Sequence, residues 1–265
     1  MDLGLKGKRV VVLASSKGIG QAIAKEFVRE GAEVLITSRD PEHLLEAAQE
    51  IKREIGGDVP GPHTEVCDIT KEEDLKSLFE GAIDKLGGID VLINNAGGPP
   101  AGSFMDFEDE DWQKAFELNL LSFIRATRYV LPHMKEAGEG RILNIASSSI
   151  KEPIDGLILS NTFRNGIVGL SKSLAREYAG ENILVNTLGP GRISTDRVEE
   201  LDQVQAKRRG LSPEEVKAEH ETRIPAGRYG TPDEFARTAV FLASFANTYV
   251  TGQSFVVDGG AVKAL

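Results

Sequence analysis

The sequence is poor in the residues that build disulfide or metal centres. Its single cysteine excludes an internal disulfide framework and a cysteine-based metal site. The four histidines share no ligand spacing, so no metal is predicted. Acidic residues outnumber basic ones by 41 to 31 and no basic stripe is present, which argues against a nucleic-acid partner. Since no apolar run suits a membrane span or a signal peptide, we expect no membrane partner and a reduced, cytoplasmic setting.

What the sequence does contain is an alternation of short apolar runs with longer helical stretches. The runs predict strands at residues 9–14, 33–37, 64–67, 90–93, 141–145, 183–187 and 253–257. Helices are predicted at residues 22–30, 111–135, 159–178 and 232–244, from Pro41, and from near Thr70 with Glu73 in a capping box. Repeated strand–helix units of this length predict an α/β fold: one domain over residues 1–265, with about seven strands in a doubly wound parallel sheet covered by helices on both faces.

Residues 196–225 interrupt this alternation, because they are charged and contain no strand pattern. A long insertion after a strand's carboxyl end lies over the ligand crevice in doubly wound folds. We therefore expect a substrate lid here. A solvated surface excursion is the alternative.

Residues 14–20, Ala-Ser-Ser-Lys-Gly-Ile-Gly, join the first predicted strand to the first helix. Glycines at such a junction let the backbone approach a pyrophosphate, and the helix N-terminus supplies N–H donors. The G-x-G-x-x-G fingerprint is not met, so a plain tight turn stays open as an alternative.

Five motifs in order make the chain resemble the short-chain dehydrogenase/reductase family. They are Gly18 and Gly20 of its T-G-x-x-x-G-x-G loop, Asp68, residues 94–97 (N-N-A-G), residues 190–195 (P-G-R-I-S-T) and residues 257–260 (V-D-G-G). Leu13 and Ala14 depart from the loop pattern, which has Thr and Gly there. The chain resembles a divergent branch of this family, the ketoacyl-carrier-protein-reductase-like proteins, whose members lack the full catalytic tetrad.

The resemblance implies a Rossmann-like fold that binds a nicotinamide cofactor. The residues expected to hold the cofactor are Ala14, Ser16, Lys17, Gly18, Ile19, Gly20, Arg39, Asp68, Ile69, Asn95, Ala96, Gly97, Pro190, Gly191, Ile193 and Thr195. The second strand ends without an acid at Ser38, and Lys17 and Arg39 are expected to converge where a 2′-phosphate would bind. NADP(H) is therefore expected over NAD(H), which stays possible, although the adjacent Asp40 weakens the preference.

The family's catalytic residues are Asn, Ser, Tyr and Lys, and only two of them are matched. Asn119 and Ser147 stand at the first two positions, whereas Ser160 and Arg164 replace the Tyr and the Lys. A serine hydroxyl ionises far less readily than a phenol, and an arginine does not shuttle protons. Lys151 is a candidate substitute proton donor, although a surface lysine paired with Glu152 is the simpler interpretation.

Two functions follow from this resemblance. The first is an NADP(H)-dependent oxidoreductase that transfers hydride between nicotinamide and a small carbonyl or alcohol substrate. The second is a non-catalytic NADP(H)-binding sensor or assembly protein. The retained Asn119 and Ser147 favour the enzyme. Family members pair across two-fold axes, so a homodimer or homotetramer is implied.

Overall fold

The computed structural model describes residues 1–57 and 59–264 and contains one parallel sheet of seven strands. The strand order is β3-β2-β1-β4-β5-β6-β7, and every neighbouring pair is parallel. The strands are β1 (Arg9–Val12), β2 (Glu33–Ser38), β3 (His63–Val66), β4 (Val91–Asn94), β5 (Gly140–Ile145), β6 (Ile183–Pro190) and β7 (Ser254–Val257). This arrangement confirms the predicted doubly wound α/β fold.

Helices cover both faces of the sheet. They are α1 (Gly18–Arg29), α2 (Pro41–Ile55), α3 (Glu72–Leu86), α4 (Asp109–Phe116), α5 (Ser122–Ala137), α6 (Ile158–Tyr178), α7 (Asp196–Arg209), α8 (Pro213–Arg223) and α9 (Pro232–Leu242). In the described part of the chain, no helix is long and apolar enough to cross a membrane.

The two faces of the sheet bury separate apolar clusters. Val10 and Val12 of β1 pack with the cluster that includes Phe27 of α1, whereas Val11 packs on the opposite face with Phe79 of α3. Side chains alternate between faces along a strand. A strand covered by helices on both sides is therefore apolar at its covered positions, as Val10, Val11 and Val12 are here.

Several predicted boundaries differ from the observed ones; strand β6, for example, ends at Pro190 and not at residue 187. Three further differences have clear structural reasons. Helix α1 begins at Gly18, four residues earlier than predicted, because the glycine loop itself forms its first turn. No capping box forms between Thr70 and Glu73: the N-cap of α3 is Lys71, and the Thr70 hydroxyl donates to Asp68 instead. The long helix predicted over residues 111–135 is divided by a π-helical turn at Glu117–Leu121.

The charged segment at residues 196–225 folds into α7 and α8, which pack against each other. Ser212 caps α8 by accepting from the Glu215 N–H, and the Glu215 carboxylate accepts from the Ser212 N–H. This reciprocal pair satisfies two N–H groups at the helix start, and Pro213 suits the first helical position.

Candidate active site

A cavity of about 900 Å³ opens at the carboxyl ends of the strands. The strand order reverses between β1 and β4, and ligands of open α/β sheets bind beside such a reversal. All sixteen residues predicted to hold a cofactor line this cavity. So do Ser147, Ser160 and Arg164.

The loop between β1 and α1 is shaped for close contact with a ligand. Gly18 has φ +59°, and a Cβ atom on Gly20 would lie 2.6 Å from the Ala14 carbonyl oxygen. That separation is too short for any side chain, so Gly20 is required for this packing. The loop and the start of α1 therefore form a cradle of backbone N–H groups, which suits a phosphate.

Ala14 takes a backbone conformation that alanine rarely adopts. Its φ is +47°, where the family's loop has glycine. The Ala14 N–H donates to the Thr37 hydroxyl at 3.1 Å, and the Ala14 carbonyl accepts from the Asn95 amide at 2.9 Å. These contacts hold the residue in a left-handed conformation that costs an L-residue roughly 1–2 kcal/mol.

Residues at the end of β2 line the same cavity as the loop before α1. The Ser16 hydroxyl donates to the Ser38 hydroxyl at 3.1 Å, and Arg39 and Lys17 line the same cavity. The Lys17 ammonium lies 3.3 Å from Asp196, and both side chains are mostly exposed. Asp40 caps α2 by accepting from the Glu42 and His43 N–H groups. The bond from His43 lowers the pKa of the Asp40 carboxyl.

Ser147 and Ser160 both present hydroxyl groups to the cavity. Ser147 follows β5, and its oxygen accepts from the Ser149 N–H at 3.1 Å, which leaves the O–H free to donate. Ser160 lies in the first turn of α6 and is 8% exposed. Its hydroxyl makes no hydrogen bond with any described residue. Two O–H donors are therefore available to a bound oxygen.

Arg164 and Asn119 meet at one backbone carbonyl. Arg164 is 4% exposed, and its guanidinium donates to the carbonyls of Ile145 at 2.7 Å, Ala96 at 3.1 Å and Gly97 at 3.5 Å. The Asn119 amide, which sits in the π-helical turn, donates to the Gly97 carbonyl at 2.8 Å. Burial lowers the pKa of the Arg164 guanidinium to about 10, so it stays charged at pH 7. Arg164 thus connects the ends of β4 and β5.

Lys151 is exposed, and it is not among the described residues that line the cavity. The predicted pairing with Glu152 is not formed either, because Glu152 instead accepts from the Lys263 N–H. No phenol lines the cavity within the described chain. The structure therefore brings together Ser147, Ser160, Arg164 and, behind them, Asn119, but leaves Lys151 outside.

The sequence did not predict which residues of α7 and α8 line the cavity. Val198, Leu201, Val204 and Arg208 of α7 contribute, and His220 contributes from α8. The only signal in the sequence was their helical spacing of three or four residues. No metal was predicted, and among the described residues no group of three or more His, Cys, Asp or Glu side chains could hold one.

A buried polar cluster fixes α7 and α8 to the end of β6. Asp202 accepts from Arg192 at 2.5 Å and from the Tyr229 hydroxyl at 2.8 Å. The His220 ring lies 2.8 Å from both Arg192 and Gln205. Burial, together with the positive charge of Arg192, lowers the pKa of His220 to about 4. The imidazole is therefore neutral at pH 7.

Comparisons with known proteins show which proteins the chain is similar to. The family model described as enoyl-(acyl carrier protein) reductase matches residues 13–262. The 3-oxoacyl-[acyl-carrier-protein] reductase FabG of Chlamydia pneumoniae is 37% identical, over 98% of this chain and 99% of that protein. Dehydrogenase/reductase SDR family member 4 of Oryctolagus cuniculus is 35% identical, over 98% of this chain and 96% of that protein.

A similar solved structure is that of L-sorbose reductase from Gluconobacter frateurii, complexed with NADPH and L-sorbose. It superposes with a TM-score of 0.93 at 33% identity, and all of both chains is covered. The matches extend along almost the whole chain. The chain therefore belongs to the short-chain dehydrogenase/reductase family.

Proposed function

We propose that the protein is an NADP(H)-dependent oxidoreductase that interconverts a carbonyl compound and an alcohol with a non-standard set of proton-transfer residues. The observation that carries this proposal is a single cavity lined by the glycine cradle, Arg39 and the two serines Ser147 and Ser160. A cofactor site and two hydrogen-bond donors for a carbonyl oxygen thus share one cavity.

The residues at the cofactor end fit NADP(H). Gly18, with its positive φ, and Gly20, packed against the Ala14 carbonyl, shape the loop at the start of α1, where a pyrophosphate would bind. Lys17 and Arg39 supply positive charge for a 2′-phosphate. Asp40, the acid that weakened this preference, is engaged in capping α2. Pro190, Ile193 and Thr195 would border the nicotinamide, in keeping with the family resemblance.

Bound NADPH supplies the hydride for reduction of a carbonyl carbon. The Ser147 and Ser160 hydroxyls donate hydrogen bonds to the carbonyl oxygen and stabilise the negative charge that develops there. Neither hydroxyl approaches the acidity of a phenol, whose pKa is about 10. Because Arg164 donates to three backbone carbonyls, we assign it a positioning role, and proton delivery from water limits turnover.

A second candidate function is that of an NADP(H)-binding sensor or assembly protein without turnover. The contacts of Arg164 favour it, since this side chain holds the ends of two strands and is not free for proton transfer. The free Ser147 hydroxyl favours the enzyme. A protein that only binds the cofactor does not need a hydrogen-bond donor for a substrate oxygen at the nicotinamide end of the cavity.

The cofactor preference is tested by titrating NADPH and NADH into the protein and into Arg39→Asp. We expect tighter NADPH binding by the parent protein and a weakened NADPH affinity in the variant, because the guanidinium partner of the 2′-phosphate is replaced by a like charge. Equal affinities for the two cofactors in the parent protein would contradict the proposal.

Activity is tested by following NADPH consumption with a panel of ketones, aldehydes and ketoacyl thioesters. We expect measurable turnover that falls about 100-fold in Ser147→Ala, as when one oxyanion donor is removed. NADPH affinity should not change in this variant. Ser173→Ala, on the exposed side of α6, is the matched control and should behave like the parent. Tight NADPH binding with no turnover of any panel member would favour the non-catalytic function.

Residues 196–225 are proposed to act as the substrate lid, since side chains from both α7 and α8 reach the cavity. A solvated excursion would place no apolar side chains there. The apolar members, Val198, Leu201 and Val204, all come from α7.

A further inference from the structure

Four arginines line the part of the cavity that lies beneath α7 and α8, and only two of them are paired. Arg192 binds Asp202 at 2.5 Å. Arg197 binds Glu200 at 2.8 Å and the Pro99 carbonyl at 2.6 Å. Arg208 and Arg223 make no hydrogen bond or ion pair with any residue that the structure describes. Two guanidinium groups therefore face the cavity with their donors free.

The α7 wall changes character along its length. Val198, Leu201 and Val204 line the cavity at spacings of three residues, and Arg208 follows four residues later on the same face. The line through these four positions is thus apolar over about two turns and ends in a positive charge, while Arg197 and Gln205 line the cavity beside it. A ligand lying along it would place an apolar segment under the valines and leucine and an anion at Arg208.

Arg208 lies close to the reacting end of the cavity. Its Nη1 atom is 3.9 Å from the position a Cβ atom would take on Gly156. Gly156 precedes Ser160 by four residues, and four residues span at most about 14 Å. The other end of α7 borders the phosphate loop, where the Thr195 methyl group is 3.4 Å from the corresponding position on Gly18. Arg208 is therefore near the substrate loop and remote from the 2′-phosphate end.

Three carboxylates line the substrate side, and two of them are engaged. Glu152 accepts from the Lys263 N–H, and Asp258 accepts from the Gly260 and Val262 N–H groups. Asp155 has no partner among the described residues and adjoins Gly156, but it makes no ion pair with Arg208 within 4 Å. Asp155 is therefore the one nearby acid that could compete for Arg208.

We propose that the substrate of the function proposed above carries an anionic group, a carboxylate or a phosphate. An apolar chain separates this group from the carbonyl, and Arg208 binds the anion. A guanidinium group donates two parallel hydrogen bonds to either oxyanion. The inference rests on the proposed oxidoreductase function for the carbonyl end only. The anion site is defined by the geometry of α7 and its neighbouring loop.

The test compares charged and neutral ketones of equal shape. The probes are 4-oxopentanoate, 6-oxoheptanoate and 8-oxononanoate, each with its methyl ester. Kd is measured by calorimetry on protein saturated with NADP+, where no turnover occurs, and KM is measured with NADPH. We expect one of the three acids to bind about five to ten times more tightly than its ester, as for a charge-assisted hydrogen bond at a partly hydrated site.

Variants assign that preference to one side chain. Arg208→Gln should abolish the acid-over-ester preference, and Arg208→Lys should keep part of it, since an ammonium retains the charge but loses the bidentate geometry. Lys207→Gln, an exposed neighbour with the same change of charge, is the control and should bind like the parent. Asp155→Asn should tighten binding of the acid, because it removes the competing carboxylate.

A further comparison with a phosphate compound distinguishes a carboxylate from a phosphate as the bound anion. The 6-oxoheptyl phosphate monoester is compared with 6-oxoheptanoate and with the neutral ester, and the tighter of the two anions identifies the class. Acids, phosphate and esters that all bind alike would overturn the proposal even if the ketones are reduced. Arg208-dependent anion binding without any NADPH consumption would support the site and contradict the proposed oxidoreductase function.

Discussion

At the scale of single residues, Ala14 is the clearest departure of this chain from its family. Among the described non-glycine residues, positive φ values occur at Ala14 and at Asn182. Asparagine tolerates that region well, whereas alanine does not. The substitution of the family's glycine thus leaves strain beside the phosphate cradle, held in place by the contacts to Thr37 and Asn95.

We predict that Ala14→Gly stabilises the protein by about 0.5–1 kcal/mol, because relief of roughly 1–2 kcal/mol of left-handed strain exceeds the added entropy of the unfolded chain. Urea denaturation measures the change. Ala24→Gly, at a buried position inside α1, is the control and should destabilise by about 1 kcal/mol. An Ala14→Gly variant less stable than the parent would show that the observed φ carries no strain.

The sequence predicts the residues of the cavity well where a motif specifies them and poorly elsewhere. Ser147 and Ser160 are placed by motif spacing, and the structure puts both hydroxyls in the cavity. Lys151 is predicted from its chain proximity to Ser147 and from the position of this loop in the family fold. The turn after Ser147 directs the Lys151 side chain outward. A separation of four residues in the sequence does not predict the direction in which that side chain points.

At the scale of elements, the errors occur where backbone hydrogen bonding departs from the regular pattern. The π-helical turn that places Asn119 at the Gly97 carbonyl has no residue signature of its own. Apolar periodicity therefore predicted one continuous helix. At the start of α3, Asp68 competes for the Thr70 hydroxyl, so a sequence that matches a capping box forms another turn.

The stability of the protein is expected to depend on pH through His220, which lies in the polar cluster that holds α7 and α8. In the folded protein the pKa of this ring is lowered to about 4, whereas in the unfolded chain it has its ordinary value of about 6.5. As the pH falls below about 6.5, the ring is therefore protonated in the unfolded chain before it is protonated in the folded protein. The stability that the neutral ring contributes is present above that pH and is lost between about pH 6.5 and 4. Between pH 7 and 5, the loss should reach about 2 kcal/mol.

Urea unfolding at pH 7 and pH 5, for the parent and for His220→Gln, measures this loss. The glutamine variant keeps a polar group beside Arg192 but does not titrate, so its stability should change less between the two pH values. Identical pH dependence in both proteins would contradict the role assigned to His220.

At the scale of the whole molecule, the surface has apolar side chains in two places that suit contacts between copies. Met105 is 87% exposed near the start of α4, and Tyr249 is 94% exposed close to β7. Family members pair their long helices and their C-terminal strands across two-fold axes. We propose the same for this chain.

A homodimer or homotetramer is therefore expected in sedimentation at micromolar concentration. Replacing Tyr249 with aspartate should weaken association through the β7 edge, because a charge would be buried there. Asp substituted at exposed Leu45 of α2 is the control and should leave the association unchanged. A parent protein that sediments as a monomer would contradict the expectation.

We propose that the cavity keeps the geometry for hydride transfer and lacks only an efficient acid. The double variant Ser160→Tyr/Arg164→Lys restores the phenol and the ammonium that the family uses, one helical turn apart on α6. Each single variant should gain little, since the phenol needs the ammonium and Arg164→Lys alone gives up the bonds to Ile145 and Ala96.

The deciding measurement is turnover of a ketone by the four proteins of this cycle, with NADPH affinity and unfolding measured for each. We predict a double variant about 100-fold faster than the parent, the contribution of a positioned acid. A folded, NADPH-binding double variant no faster than the parent would contradict the assignment of Ser160 and Arg164 to these positions.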